Sequence, residues 1–172
     1  MEKRIISMIG PEQPSLLPTI CRHIAQWDCN IDDSRITGVG GEAAILMAIS
    51  GTSEAVQTLD AHLPKQLQQL NMVARIKPFN ASTSEQQEQY TIFIQTMDHP
   101  GLIRDITQYL TDHDVSIQEA NTKVTHAPHT GTPFFELELT SQGLIESQFD
   151  AFNHQFSQFC ESRNLDMTIV RS

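Results

Sequence analysis

Tyr90-Thr91-Ile92-Phe93-Ile94-Gln95-Thr96-Met97-Asp98-His99-Pro100-Gly101-Leu102-Ile103-Arg104-Asp105-Ile106 is the stretch that decides the fold. Residues 90–97 are rich in aromatic and β-branched side chains, which predicts a strand. Ile103, Ile106 and Leu110 then recur at helical spacing, so a helix with one buried face follows. Between them lies a short loop, Asp98-His99-Pro100-Gly101. Strand, tight loop and helix open a unit that the chain uses twice.

A shift of 86 lays the first forty residues of one half on the other without a gap. Ile6 and Met8 fall on Ile92 and Ile94, and Glu12 on Asp98. Pro14-Ser15-Leu16-Leu17 falls on Pro100-Gly101-Leu102-Ile103, and Asp28 and Ile31 on Asp114 and Ile117. Further on the shift becomes 93: Leu46 matches Leu139, Val56 Phe149, Leu59 Phe152, Leu63 Phe156 and Ile76 Ile169. The seven extra residues are expected in the loop 127–133, because loop closure entropy grows slowly with length.

Each half repeats one order of periodicities. A first strand (5–9; 90–97) and a helix carrying Leu17, Ile20, Ile24 and Trp27, or Ile103, Ile106 and Leu110, come first. A second strand (30–37; 116–126), a turn and a third strand (43–49; 134–140) follow, with Gly38-Val39-Gly40-Gly41 expected as the first turn. A second helix carries Val56, Leu59 and Leu63, or Phe149, Phe152, Phe156 and Phe159, and Pro64 is expected to break its first copy. A last strand (73–77; 167–170) closes each unit. The fold class is therefore α+β, two ferredoxin-like βαββαβ units in tandem. The expected boundaries are 1–80, a flexible linker 81–88 and 89–172. The phenylalanine stripe reads as core packing.

Charge narrows the partners. With 11 basic and 21 acidic residues among 172, the net charge is −10. The imbalance is concentrated after residue 80, where 4 basic residues face 13 acidic ones. Direct nucleic-acid binding is not expected, since that depends on Lys and Arg meeting phosphates. No apolar run is long enough for a membrane span, and no secretory leader is read at the N-terminus. Cys21, Cys29 and Cys160 are odd in number and never spaced as Cys-x-x-Cys, which fits small buried residues in a reducing cytoplasm.

Catalytic chemistry finds little support. No nucleophile elbow, phosphate-binding Walker loop or helical His-Glu-x-x-His is present. His126-Ala-Pro-His129 cannot present two imidazoles on one helical face, so no metal and no cofactor is expected. Asp32 and Asp33 are adjacent on a strand and point to opposite faces, and Asp112 and Asp114 read as solvated. An RNA-binding module of this fold would place aromatics beside basic residues on its third strand. Here Ala44-Ile45-Leu46-Met47-Ala48 has no ring, and Glu136 and Glu138 follow Phe134 and Phe135. The first loops are acidic, which argues against an acylphosphatase-like phosphate site, and a copper carrier would need Cys-x-x-Cys there.

The loop before the first helix carries more. Pro100 is expected at the first helical position, Asp98 can cap free amides, and Gly101 leaves them unshielded. Amides at a helix N-terminus attract a carboxylate through hydrogen bonds and the helix dipole. A small amino acid could dock there; a capped helix start without a ligand is the other reading.

Asp98-x-Pro-Gly-Leu between strand and helix, followed by Asp114-Val115-Ser116-Ile117 at the second strand, resembles the ACT domain, a βαββαβ family that binds amino acids and regulates enzymes or transcription. The resemblance covers both halves. It implies a ligand set of Asp98, His99, Pro100, Gly101 and Leu102 with Ser116 and Ile117 in the second unit. In the first unit the matching positions are Glu12, Gln13, Pro14, Ser15 and Leu16 with Asn30 and Ile31, and Ser15 replaces the glycine. The second loop is therefore the better candidate. Freestanding pairs of this family imply a non-enzymatic sensor of a small amino acid such as glycine, repressing glycine cleavage genes through a DNA-binding transcriptional activator protein. A sensor that controls a metabolic enzyme by protein contact is the alternative. Exposed sheet edges suggest that the units pack together and that the chain forms a homo-oligomer.

Overall fold

The computed structural model describes residues 1–80, 89–97, 99–127, 129–143 and 146–171. The expected linker 81–88 and Asp98 lie outside these. The chain divides into two compact units, Met1–Ser82 and Thr83–Ser172.

The first unit runs β1 (Glu2–Pro11), α1 (Leu16–Ala25), β2 (Asn30–Val39), β3 (Glu42–Gly51), α2 (Ser53–Gln69) and β4 (Val73–Pro78). The second runs β5 (Gln89–Met97), α3 (Leu102–Asp112), β6 (Ser116–His126), β7 (Pro133–Gln142), α4 (Glu146–Glu161) and β8 (Asp166–Arg171). Each sheet is antiparallel and four-stranded, ordered β2-β3-β1-β4 and β6-β7-β5-β8. This is the βαββαβ order read from the periodicities.

Strand alternation sends one set of side chains toward the helices. Ile6, Met8, Ile45, Met47 and Ile49 meet Ile20, Ile24, Val56, Leu59, Leu63 and Leu67 in one core. Ile92, Ile94, Leu137 and Leu139 meet Ile106, Leu110, Phe152 and Phe156 in the other, so the phenylalanine stripe is packing. Fully burying each such side chain contributes about 1.5–3 kcal/mol.

Three local expectations are corrected. Gly38 and Val39 belong to β2, and the turn is Gly40-Gly41 alone, with φ 63 and 85. Positive φ at both central residues is what a two-residue hairpin needs, and glycine supplies it without strain. Pro64 does not break α2, which runs through it. Val56 and Leu59 before it and Leu63 and Leu67 beside it are all 0% exposed, so packing holds both halves on the sheet. The seven-residue insertion is also split. Ile6 pairs with Met47 and Ile92 with Leu139, so Met47, not Leu46, is the counterpart of Leu139. Six of the extra residues lengthen the β6–β7 hairpin, and the seventh falls between β7 and α4.

The helices end alike. Asp28, Asn71, Asp114 and Asn164 follow α1 to α4 with φ 55, 57, 58 and 56. Asp and Asn are the non-glycine residues that most readily adopt this left-handed stop. Both second strands also carry a bulge at equivalent places, between Ile31 and Asp33 and between Ile117 and Glu119.

Candidate functional site

The two β–α loops occupy equivalent places but differ in backbone. In the second unit Gly101 is the residue before α3, with φ 92. Pro100 therefore lies outside the helix rather than at its first position. In the first unit Ser15 holds the same place with φ −92, and its hydroxyl makes no capping hydrogen bond. His99, Pro100 and Gly101 are exposed, and His99 Nδ1 lies 3.3 Å from the Pro100 carbonyl oxygen. Leu16 and Leu102 are buried in the cores, so each offers a ligand only its backbone.

The amides differ more than the side chains. In α1 the Leu16 N–H donates to the Gln13 carbonyl at 3.0 Å, and Pro18 has no donor, leaving Leu17 alone in the first turn. The first helical bond of α3 comes from Asp105, whose N–H donates to the Gly101 carbonyl at 3.0 Å. The amides of Leu102, Ile103 and Arg104 precede that bond and have no partner among the described residues. Three donors at a helix start that no described residue accepts from are an anion site in form. Arg104 adds a cation beside Gly101: a Cβ built on Gly101 would lie 3.3 Å from Arg104 Nη2. The Arg104 side chain is 79% exposed and pairs with Asp105 at 2.8 Å.

The first loop forms a hollow of about 190 Å³ between Glu12, Gln13, Pro14, Leu16 and the β2–β3 residues Ile36, Gly38 and Ala43. The Glu12 N–H donates to the Gly41 carbonyl at 2.9 Å, and its carboxylate lies over Gly38, where an added Cβ would meet it at 3.3 Å. The sequence reading missed Ile36, Gly38 and Ala43. A glycine inside a strand, where backbone and side chain approach closely, was the available signal.

The second-strand residues are not beside the loops of their own unit. Ser116 pairs with Gln142, which pairs with Gln89 at the start of β5, whereas the loop follows Met97 at its end. That is about 25 Å along the sheet at ~3.3 Å per residue. Asn30, paired with Ser50, is displaced from Glu12 in the same way. Ser116 accepts a hydrogen bond from Gln118 at 3.2 Å, and Ile117 packs on the core.

The acidic pairs take structural parts. Asp32 accepts from Ser50 Oγ at 2.7 Å and pairs with Lys3 at 2.8 Å, while Asp33 pairs with Arg35 at 3.0 Å. The Lys3 ammonium, then the Ser50 hydroxyl, hold the Asp32 carboxyl down to about 2. Among the described residues no group of His, Cys, Asp and Glu is placed to hold a metal ion, and no helix is long and apolar enough to cross a membrane.

The ACT domain family matches residues 2–77 and, separately, residues 90–146. The chain is 23% identical over 166 residues to the glycine cleavage system transcriptional repressor of Escherichia coli (strain K12), spanning 96% of this chain and 87% of that protein. The Shigella flexneri protein of that name gives the same figures. Among solved structures, one provisionally described as a glycine cleavage system transcriptional repressor superposes with a TM-score of 0.74 at 19% identity, over 99% of this chain and 97% of that one. An unknown protein from Galdieria sulphuraria superposes with a TM-score of 0.81 at 15% identity, over 99% and 98%.

Proposed function

Given that this chain belongs to the ACT domain family, as two members in tandem, we propose that it is a non-enzymatic regulator that senses a small amino acid. Glycine is the first candidate, and the output is repression of glycine cleavage genes through a DNA-binding activator protein in the cytoplasm. The observation that carries this reading is the likeness to a named repressor along 96% of the chain. The three amides at the start of α3, without an acceptor among the described residues, support the sensing step, since they suit a carboxylate. The ligand's ammonium calls for a carboxylate, and Asp98 stands in the same loop of the sequence. Leu102 anchors the helix and Gly101 sets its entry. The first loop takes a different ligand or none, because Ser15 and Pro18 leave fewer donors.

The net charge of −10 supports a protein intermediary. The chain acts as a homo-oligomer on this reading. A gel-shift titration on a glycine cleavage promoter tests the output. The purified chain alone leaves the duplex unshifted at physiological salt, and changes the mobility of a duplex already bound by the activator. A specific shift by the chain alone, with a steep salt dependence, overturns the indirect route.

A further inference from the structure

Each sheet has a face turned away from its helices, and the two faces differ in charge. In the first unit that face carries Ile9, Leu46 and Val73, which are 58%, 47% and 78% exposed. Arg75 and Lys77 lie on its β4 side, opposite Ser7 and Ile5 in register, and neither has an ion-pair partner among the described residues. In the second unit the corresponding face centres on Phe93, 41% exposed, with Glu138 opposite it on β7. Glu136 and Asp166 flank Gln95 from either side. A hollow of about 540 Å³ opens there, lined by Phe93, Glu136, Glu138 and, opposite Glu136 in register, Lys123, a single cation against the three carboxylates of that face.

We propose that the open sheet face of the first unit docks on the open sheet face of the second unit of another copy of this chain, the contact being made twice about a two-fold axis. Charge selects this pairing. Two first-unit faces would set Arg75 and Lys77 near their own copies, and two second-unit faces would do the same with Glu136, Glu138 and Asp166. Only the mixed pairing brings an apolar patch with a basic side onto an aromatic patch with an acidic one. Area is sufficient as well. Four strands ~4.8 Å apart and about eight residues long cover roughly 500 Å² per face, so two such contacts bury about 2,000 Å² in all, within the range of stable dimers. This deepens the homo-oligomer part of the preceding reading and rests on that part alone.

Light scattering and sedimentation equilibrium on the full chain test it. The wild type sediments as a dimer, weakened by added salt. Arg75→Glu with Lys77→Glu, or Glu136→Lys with Glu138→Lys, weakens the dimer roughly tenfold or more. Mixing these two double variants restores a dimer, because each then offers the other opposite charges at both contacts. Unchanged circular dichroism and Trp27 fluorescence show that both variants are folded. A dimer indifferent to all four substitutions, or no recovery on mixing, overturns the docking surface and leaves the homo-oligomer standing. A monomeric wild type overturns both.

Discussion

Gly101 and Ser15 stand at the same place in the two repeats, yet their φ angles are 92 and −92. The glycine is thus required by the backbone, whatever ligand it exposes. A non-glycine residue at that left-handed position costs about 1–2 kcal/mol.

Gly101→Ala is therefore expected to lower the stability of the second unit by about 1–2 kcal/mol. Among the described residues the added Cβ meets only the end of the Arg104 side chain, so strain, not a clash, is the cause. Trp27 is the chain's one tryptophan and packs on the first core, so its fluorescence reports that unit. Urea titration should move the circular dichroism transition of Gly101→Ala and leave its Trp27 midpoint in place. Ser15→Ala, which removes no capping bond, should cost less than the ~1 kcal/mol typical of a lost cap. A bulky residue at Gly101 is consequently a poor probe of ligand access.

Acid should loosen the first unit in a defined window. The Asp32 carboxyl is held well below its ordinary 3.8, at about 2, by Lys3 and then Ser50. Glu2 is also lowered, chiefly by the Ser53 hydroxyl. Groups depressed in the folded state stabilise it above their ordinary values and cease to do so as pH falls through the folded ones. Melting followed at Trp27 should drop between about pH 4 and about pH 2 more steeply in the wild type than in Asp32→Asn.

The thiols should react in order of exposure. Burial pushes the Cys160 thiol up to about 12 and raises Cys29 as well, so neither forms thiolate readily at neutral pH. Cys21 is only half-buried. Maleimide labelling of native protein followed by mass mapping should find Cys21 first, with Cys160 modified only on unfolding.

Pro64 deprives the Asp60 carbonyl of its helical donor. Pro64→Ala should restore that bond and stabilise the first unit by about 1–3 kcal/mol, read as a higher urea midpoint at Trp27.

The order of elements was legible because each carries its own periodicity: Ile6 and Met8 alternate, and Ile20 and Ile24 recur at a helical turn. The repeat then made each half a check on the other. Pro64 misled because local propensity does not register four leucines and valines pressed onto a sheet. Gly38 misled because a glycine-rich run does not say which of its members turn. The loops themselves were found from Pro100-Gly101 and Pro14-Ser15. Joining them to Ser116 and Asn30 was mistaken, since the helix after each loop returns the chain to the far end of the sheet before the second strand begins. Which amides of α3 lack an acceptor among the described residues depends on hydrogen-bond geometry and on the sign of φ at Gly101, which no residue pattern displays.

Calorimetric titration of the full chain with glycine, and then with each other small amino acid, tests the sensing claim most directly. Saturable heat is expected for at least one of them, glycine first, with a matching rise in the melting temperature of the second unit. No saturable heat and no thermal shift with any amino acid would contradict it.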